Sequence, residues 1–550
     1  MSKEEISPYF KTAPVTRFQI ILEEATRAKP DSLNARFVPP DADSFEKLMS
    51  KFHHVLYGRR GTGKSSLLRQ IESIHKKNGK LVAWLDQEIV SELSYPDVLL
   101  VSLATVFSAF AGQIAALNPK PSLAKRMFRS NKVSQEIELA EDLRIASSQL
   151  KVLRDGPDES NISWTSGHSV SASRSNEYGV GVEIPLVKTK SNLSYGKKAS
   201  KNDSQSMQVQ GNYSASKREH LERSIVDYRG LMARVSSKYP DSFVILDDFY
   251  RLSEQDQPSV AGYFHRIVKD NQIWLKFGSV SFWTRLYAGG SPSVGLQAPH
   301  DIKDISLDRG LLDFANSKRF LEKVLAALAN ECDVDVHLLF NAGSLDRLVL
   351  AAGGVTRDYL SLVNDAISMA KNRGPSAKVG TNRVTVEDVN RSAGNTAERK
   401  YRDLEEDAGA QAGNLRNLVI ALTQHCRKTK SACFLVDVQN TDLNERLGRL
   451  QNMRFVHLIS ENETIPDAQS NRYKVYLLDV SQLTAQRAWR VDVMSWTNRS
   501  QRRARKLIFV EPNSVEAMTE ESNNLADDSD FEEQTEESDE KAIVRVFDLD

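Results

Sequence analysis

The stretch His53-His54-Val55-Leu56-Tyr57-Gly58-Arg59-Arg60-Gly61-Thr62-Gly63-Lys64-Ser65 decides the fold. His53 to Tyr57 read as a short apolar strand running straight into glycine-rich sequence. Ser65 to Lys76 then show helical spacing, with Leu67, Leu68, Ile71 and Ile74 on one face. Strand, loop and helix in this order are the context in which a run such as Gly58 to Ser65 binds phosphate. Glycines reach backbone conformations barred to other residues and let N–H groups approach an anion, while the helix beginning near Lys64 adds the positive end of its dipole. The spacing sends Lys64 to β- and γ-phosphates and the Ser65 hydroxyl to Mg²⁺. Gly58, Arg59, Arg60, Gly61, Thr62, Gly63 and Ser66 complete the expected binding set.

Outward from the loop, Leu81 to Leu85 (LVAWL) read as a second strand, Phe243 to Leu246 (FVIL) as a fully buried one, Ile273 to Val280 (IWLKFGSV) as another, and Ile302 to Leu307 as a fifth. Helical segments alternate with them, as a parallel sheet requires. The expected fold class is therefore α/β, a parallel-sheet core. The buried FVIL run ends in Asp247 and Asp248, and such a strand end is where a metal-binding carboxylate and a water-orienting group are needed. We assign Asp247 to Mg²⁺ and Asp248 to the attacking water; the alternative is two acids that start a turn or cap a helix.

The chain has 550 residues, more than one hydrophobic core accommodates, and a formal net charge of zero, which excludes an overall electrostatic bias toward nucleic acid or anionic membrane. Its three cysteines, Cys332, Cys426 and Cys433, are too few and scattered for a disulfide framework or a four-thiolate metal site. The N-terminus lacks the pattern of a secretory signal, which gives a cytoplasmic expectation. Val98 to Leu117 approaches membrane-spanning length, but Ser102, Thr105, Ser108 and Gln113 interrupt it, so a buried core helix is expected and no membrane span.

The expected organisation is an N-terminal arm over 1–44 with a helical piece around Phe18 to Ala28, the core over 45–310, and a helical lid and linker over 311–410. A smaller α+β domain over 411–511 and an acidic tail over 512–550 follow. The core is interrupted at about 155–216 by sequence rich in Ser, Gly, Asn and Lys that cannot build a core of its own. Within it Tyr178 to Tyr195 partly alternate apolar with polar residues, which reads as an exposed β-hairpin, with disorder as the alternative. The tail from Glu516 to Glu540 holds about a dozen carboxylates and no Lys or Arg, a self-repelling polyanion.

On the loop, the acidic pair and this order of parts, the chain resembles AAA+ type P-loop ATPases, especially the branch of origin-recognition initiators and the related STAND signalling ATPases. The resemblance implies ATP and Mg²⁺ as ligands and hydrolysis to ADP and phosphate. It implies a polar sensor on the strand after the acidic pair, here Ser279 or Ser281, and a lid arginine, here Arg357 within Ala351 to Tyr359 (AAGGVTRDY). A homo-oligomer with an arginine finger is also implied, with Arg285 as candidate and Arg251, Arg266 and Arg309 as rivals. Asp248 stands where many members have Glu, and its shorter side chain suits slow hydrolysis. The last domain looks like a winged-helix module, with Asn444 to Phe455, carrying Arg446, Arg449 and Arg454, as a helix able to enter a DNA groove and Leu458 to Leu478 as the wing; the spacing of Leu447 and Leu450 also suits a plain amphipathic helix. Arg499 to Lys506 (RSQRRARK) is a denser basic run able to contact phosphates or pair with the acidic tail. Two functions follow as expectations: an ATP-driven switch or motor acting on DNA, or an ATP-dependent oligomerising scaffold, defence signalling being one example, that binds a protein partner with little turnover.

Overall fold

The computed structural model describes residues 9–26, 37–39, 42–118, 131–156, 159–165, 169–172, 184–185, 210–373, 383–465, 472–484 and 506–511. The chain divides into two compact units, one formed by Asp41–Tyr57 with Leu67–Ser306 and the other by Met1–Pro40, Gly58–Ser66 and Leu307–Asp550.

The first unit is built on five parallel strands: β1 (His54–Tyr57), β2 (Val82–Asp86), β3 (Ser242–Asp247), β4 (Ile273–Ser279) and β5 (Lys303–Ser306). Their order is β5-β1-β4-β3-β2. Continuous apolar runs such as FVIL form inner parallel strands because both faces are covered, and every residue of β3 is buried. Tyr57 pairs in register with Ser279 and with Ser306, and Asp86 with Asp247, so the C-terminal ends of these strands share one side of the sheet.

The helix Asp97–Leu117 is, among the described residues, the one long and apolar enough to cross a membrane, and 61% of its most apolar window is buried. Its polar residues have local uses. Gln113 donates to the carbonyl of Val82 at 2.8 Å and accepts from the Val82 N–H at 3.0 Å. Ser102 meets the amide of buried Gln87, and the backbone of Ala104 accepts from Ser147 at 2.8 Å. Packing against the helix Asn131–Asp155 completes this layer.

The interruption at 155–216 carries more regular structure than its polar composition suggests. Glu159–Thr165 pairs antiparallel with both Ser169–Ala172 and Gln210–Ser216, and Ile184–Pro185 pairs with Ser171 and Ala172. The hairpin expected within Tyr178 to Tyr195 lies outside the described residues apart from that two-residue strand. Ser216 then caps the helix Lys217–Lys238 by accepting from the Glu219 N–H.

In the second unit the N-terminal arm holds its helix somewhat earlier than the expected Phe18 to Ala28. It forms the helix Ala13–Ala25, with Pro in the first turn, and docks on the helix Thr356–Lys371. Gln19 donates to Asn364 and Ser368 at 3.0 Å and accepts from Lys371 at 2.6 Å. The helices Phe314–Asn330, Ala342–Ala352 and Val386–Asn395 complete the lid. Beyond the helix Ala412–Thr429 come β6 (Cys433–Asp437), the helix Thr441–Asn452, β7 (Val456–Thr464) and β8 (Arg472–Leu478). These strands form an antiparallel sheet in the order β6-β8-β7. The chain at Leu507 to Phe509 runs parallel beside Leu435 of β6. Arg499 to Arg505 and the acidic tail lie outside the described residues.

Candidate nucleotide-binding site

The loop from Gly58 to Lys64 owes its shape to local sequence. Gly61 (φ 86°) and Gly63 (φ 98°) occupy the left-handed region that side chains rarely adopt. A Cβ on Gly58 would lie 2.5 Å from the Thr62 hydroxyl, which itself donates to the Arg59 carbonyl at 2.9 Å. Buried Lys64 folds back on the loop, its ammonium 2.7 Å from the Gly58 carbonyl and 3.2 Å from that of Arg59. The helix Lys64–Lys77 starts here, so its first-turn N–H groups, with Ser65 and Ser66, stand at the loop's end.

The lid arginine lies against this loop. Arg357 opens the helix Thr356–Lys371, and its N–H donates to the Gly61 carbonyl at 3.0 Å. A Cβ on Gly61 would sit 2.7 Å from Cβ of Arg357, so glycine is what allows the approach. The Arg357 guanidinium reaches the Thr26 carbonyl at 3.2 Å, tying loop, lid and N-terminal arm together.

Arg59, expected among the phosphate-binding residues, is engaged elsewhere in this conformation. Its N–H donates to Asp308 at 2.8 Å, and its guanidinium, 1% exposed, contacts Asp308, the carbonyls of Arg309 and Gly353, and His457. The physical reason is that a buried guanidinium must have its donors met, and these acceptors converge on it. Arg60 lines a cavity of about 290 Å³ together with Arg357, Asp358, Lys400, Asp403 and Arg454.

In the sheet unit, Asp247 ends β3 and is 4% exposed. A Cβ on Gly278 of β4 would lie 2.4 Å from its Oδ1, so the carboxylate occupies the space a side chain would take. An acidic donor at the end of an inner strand, with room made for it, fits a hard cation such as Mg²⁺. Asp248 follows directly. It sits in the left-handed region (φ 50°), a conformation that costs a non-glycine residue energy and collects at functional positions. Its carboxylate groups with Asp86 and Glu88, their ligand oxygens within 4.8 Å of one another.

Ser279, the expected sensor, is fully buried and shares a short hydrogen bond with Thr284, whose hydroxyl also meets the Val280 carbonyl. Ser281 is exposed. Of the finger candidates, Arg266 makes a two-pronged pair with Glu222, Arg251 pairs with Glu88, and Arg309 stacks 4.3 Å over Phe320. Arg285 is exposed, and its guanidinium has no partner among the described residues.

Residues 22–77 match the model of the ORC-CDC6-like family. The matched segment contains the whole phosphate loop, Gly58 to Ser65. This agrees with the α/β sheet of five parallel strands and with the AAA+ resemblance of the loop and acidic pair. No curated protein matches the chain. Among solved structures, a mutant of Thermotoga maritima RuvB is 16% identical; the match covers 32% of this chain and 55% of that one, with a TM-score of 0.20. The chain thus spans about half the length of that protein.

In the last domain, the arginines expected to face a DNA groove are committed to acids. Arg446 pairs with Asp442 and Glu511, Arg449 with Glu445, and Arg454 with Asp358 and Asp403. Sequence reading missed Asp308, Gly353 and His457, which hold Arg59. The only sequence signal was the Gly353-Gly354 pair, whose members adopt φ of 56° and 80°.

Proposed function

We propose that the chain is a Mg²⁺-dependent, ATP-hydrolysing switch of AAA+ type. In this reading the loop amides cradle the phosphates, Lys64 neutralises the β- and γ-oxygens, and Ser65 and Asp247 hold the metal, which supplies charge neutralisation when bound. Asp248 orients the attacking water, Ser279 reads the γ-phosphate from β4, and Arg357 reads it from the lid. Loss of phosphate removes a charge-assisted contact, so lid position depends on nucleotide state. Arg285 serves as the finger in a homo-oligomer, being the exposed candidate whose guanidinium pairs with no described residue. The observation that carries the reading is the seat of Arg357 on Gly61, an N–H to carbonyl contact of 3.0 Å that puts the lid's first helical turn on the phosphate loop.

The order of helix, strand, helix and strand pair after the lid supports a winged-helix-like role for that domain, with DNA as one partner. The second reading, an ATP-gated scaffold that binds a protein and turns over slowly, is favoured by the pairing of Arg446, Arg449 and Arg454 with carboxylates. Phosphate release by wild type, Lys64→Ala and Asp248→Asn, with and without duplex DNA and with particle size followed, separates them. Turnover abolished by both substitutions and stimulated by DNA supports the switch acting on DNA. ATP-dependent assembly with negligible turnover supports the scaffold.

A further inference from the structure

We propose that Arg59 is the anchor of the phosphate loop rather than a phosphate ligand, and that His457 of β7 is a positioning residue for nucleotide binding, acting through Arg59.

The contacts form one buried chain. Arg59 Nη2 donates to the Gly353 carbonyl at 2.8 Å and the Arg309 carbonyl at 3.1 Å, and Nη1 lies 3.4 Å from His457 Nδ1. His457 Nε2 lies 2.9 Å from Asp479 Oδ2, and the other oxygen of Asp479 accepts from Lys400 at 2.7 Å. Lys400 in turn donates to the Arg454 carbonyl at 3.2 Å. His457 is 1% exposed and Asp479 fully buried.

The chemistry fixes the histidine's tautomer. A guanidinium only donates, so Nδ1 of His457 must be the acceptor and Nε2 must carry the proton that meets Asp479. Burial lowers the His457 pKa, against the pull of Asp479, and the neutral ring this favours is the form the contact requires. Burial alone would raise Asp479, but Lys400 and His457 outweigh it and hold the carboxyl below the usual range. A second, independent observation is steric. Gly353 caps its helix in the left-handed conformation, and a Cβ there would fall 2.0 Å from His457 Cε1. The imidazole therefore rests on bare backbone, at the carbonyl that also holds Arg59.

The consequence is energetic. Arg59 lies in the loop between Gly58, whose carbonyl Lys64 grips, and Gly61, whose carbonyl takes the Arg357 N–H. Holding its guanidinium by four acceptors from three distant segments preorganises the loop, and preorganisation raises affinity by cutting the ordering cost of binding. The binding arm rests on the ATP reading above; the exchange arm below does not.

The test uses the full chain with Mg²⁺ and ATP as probe. Equilibrium ATP binding is measured for wild type, Arg59→Ala, His457→Phe, the double variant, His457→Asn and Lys64→Ala. We expect Arg59→Ala and His457→Phe each to weaken ATP about tenfold and the double variant to weaken it no further, since residues in one network are not additive. His457→Asn, which keeps an acceptor near the Nδ1 position, recovers most of the affinity. Amide exchange of the peptide covering 58–66, measured without nucleotide, rises in His457→Phe and is restored in His457→Asn. Independent additive losses, tighter ATP binding, or unchanged loop exchange overturns the proposal. Wild-type ATP binding that Lys64→Ala does not reduce defeats the nucleotide reading itself, while the exchange result still decides whether His457 holds the loop. A His457→Phe chain that does not fold leaves the double-variant arm to Asp479→Asn, for which the same loss is expected.

Discussion

Lowering the pH from 7 to 5 should destabilise the sheet unit, and His75 gives a calculable share of that loss. Its ring stacks on Phe243 of β3 with centroids 3.8 Å apart and planes 18° from parallel. Nε2 is buried with no hydrogen-bond partner among the described residues. Burial, then Lys276 and Lys80, lower its pKa from 6.5 to about 4, against a smaller opposite pull from Asp241. The native ring therefore stays neutral to about pH 4, whereas the unfolded chain takes up a proton near 6.5. Stability is full above pH 6.5 and is lost as pH falls toward the folded value, because the unfolded state binds more protons across that window. Between pH 7 and 5 one such histidine costs about 1–2 kcal/mol, the upper figure being full linkage and the lower one allowing for water reaching the ring. His75→Phe keeps the stack and removes both the titration and the unpartnered nitrogen. Opening free energies from native-state amide exchange of peptides covering β3, at pH 7 and pH 5, read the effect. The variant should lose about 1–2 kcal/mol less than wild type over this interval. An equal loss in both proteins would refute the reasoning. His53 and His54, lowered to about 4 and about 3, add acid sensitivity common to both.

Gly278→Ala places a methyl 2.4 Å from Asp247 Oδ1 and 2.8 Å from Leu68, so it should cost about 1–3 kcal/mol of stability and weaken Mg²⁺-dependent ATP binding more than metal-free binding, measured by calorimetry. Asp248→Gly relieves a left-handed φ of 50° and should raise stability by about 1 kcal/mol while abolishing phosphate release; unfolding and turnover assays on one preparation check both halves. Gly61→Ala drives a methyl to 2.7 Å from Arg357 at a φ of 86°, and should raise lid amide exchange over Thr356–Lys371 while lowering ATP affinity at least tenfold, an effect of roughly 1.4 kcal/mol or more.

The sheet and the loop were legible because local sequence determines them. Apolar runs that fill inner parallel strands have few other places to go, and the run from Tyr57 through Ser65 names its own turn. Arg357 was legible through its position in the lid segment. Arg59 was not, since its acceptors Asp308, Gly353 and His457 lie 249, 294 and 398 residues away and nothing near Arg59 announces them. Lys276 is a similar case. IWLKFGSV reads correctly as a core strand, yet its fully buried lysine is accommodated by the carbonyls of Ser50 and Phe52, which periodicity cannot foresee. The strands at Glu159–Thr165 and Gln210–Ser216 were hidden for a different reason, since Ile162 with Trp164 and Tyr213 with Ala215 give alternations of only two apolar residues each within Ser-rich sequence.

The amide of Gln113 has a further consequence for how the protein behaves among other proteins. β2 is the last strand on its side of the sheet, and a border strand offers unpaired backbone groups to any extended chain that drifts alongside. Gln113 satisfies both the N–H and the carbonyl of Val82, so the first rung an incoming strand would need is already taken by a side chain from the chain's own helix. A sheet edge is often guarded by charge; here one neutral amide, placed on the most apolar of the described helices, blocks the start of unwanted strand addition.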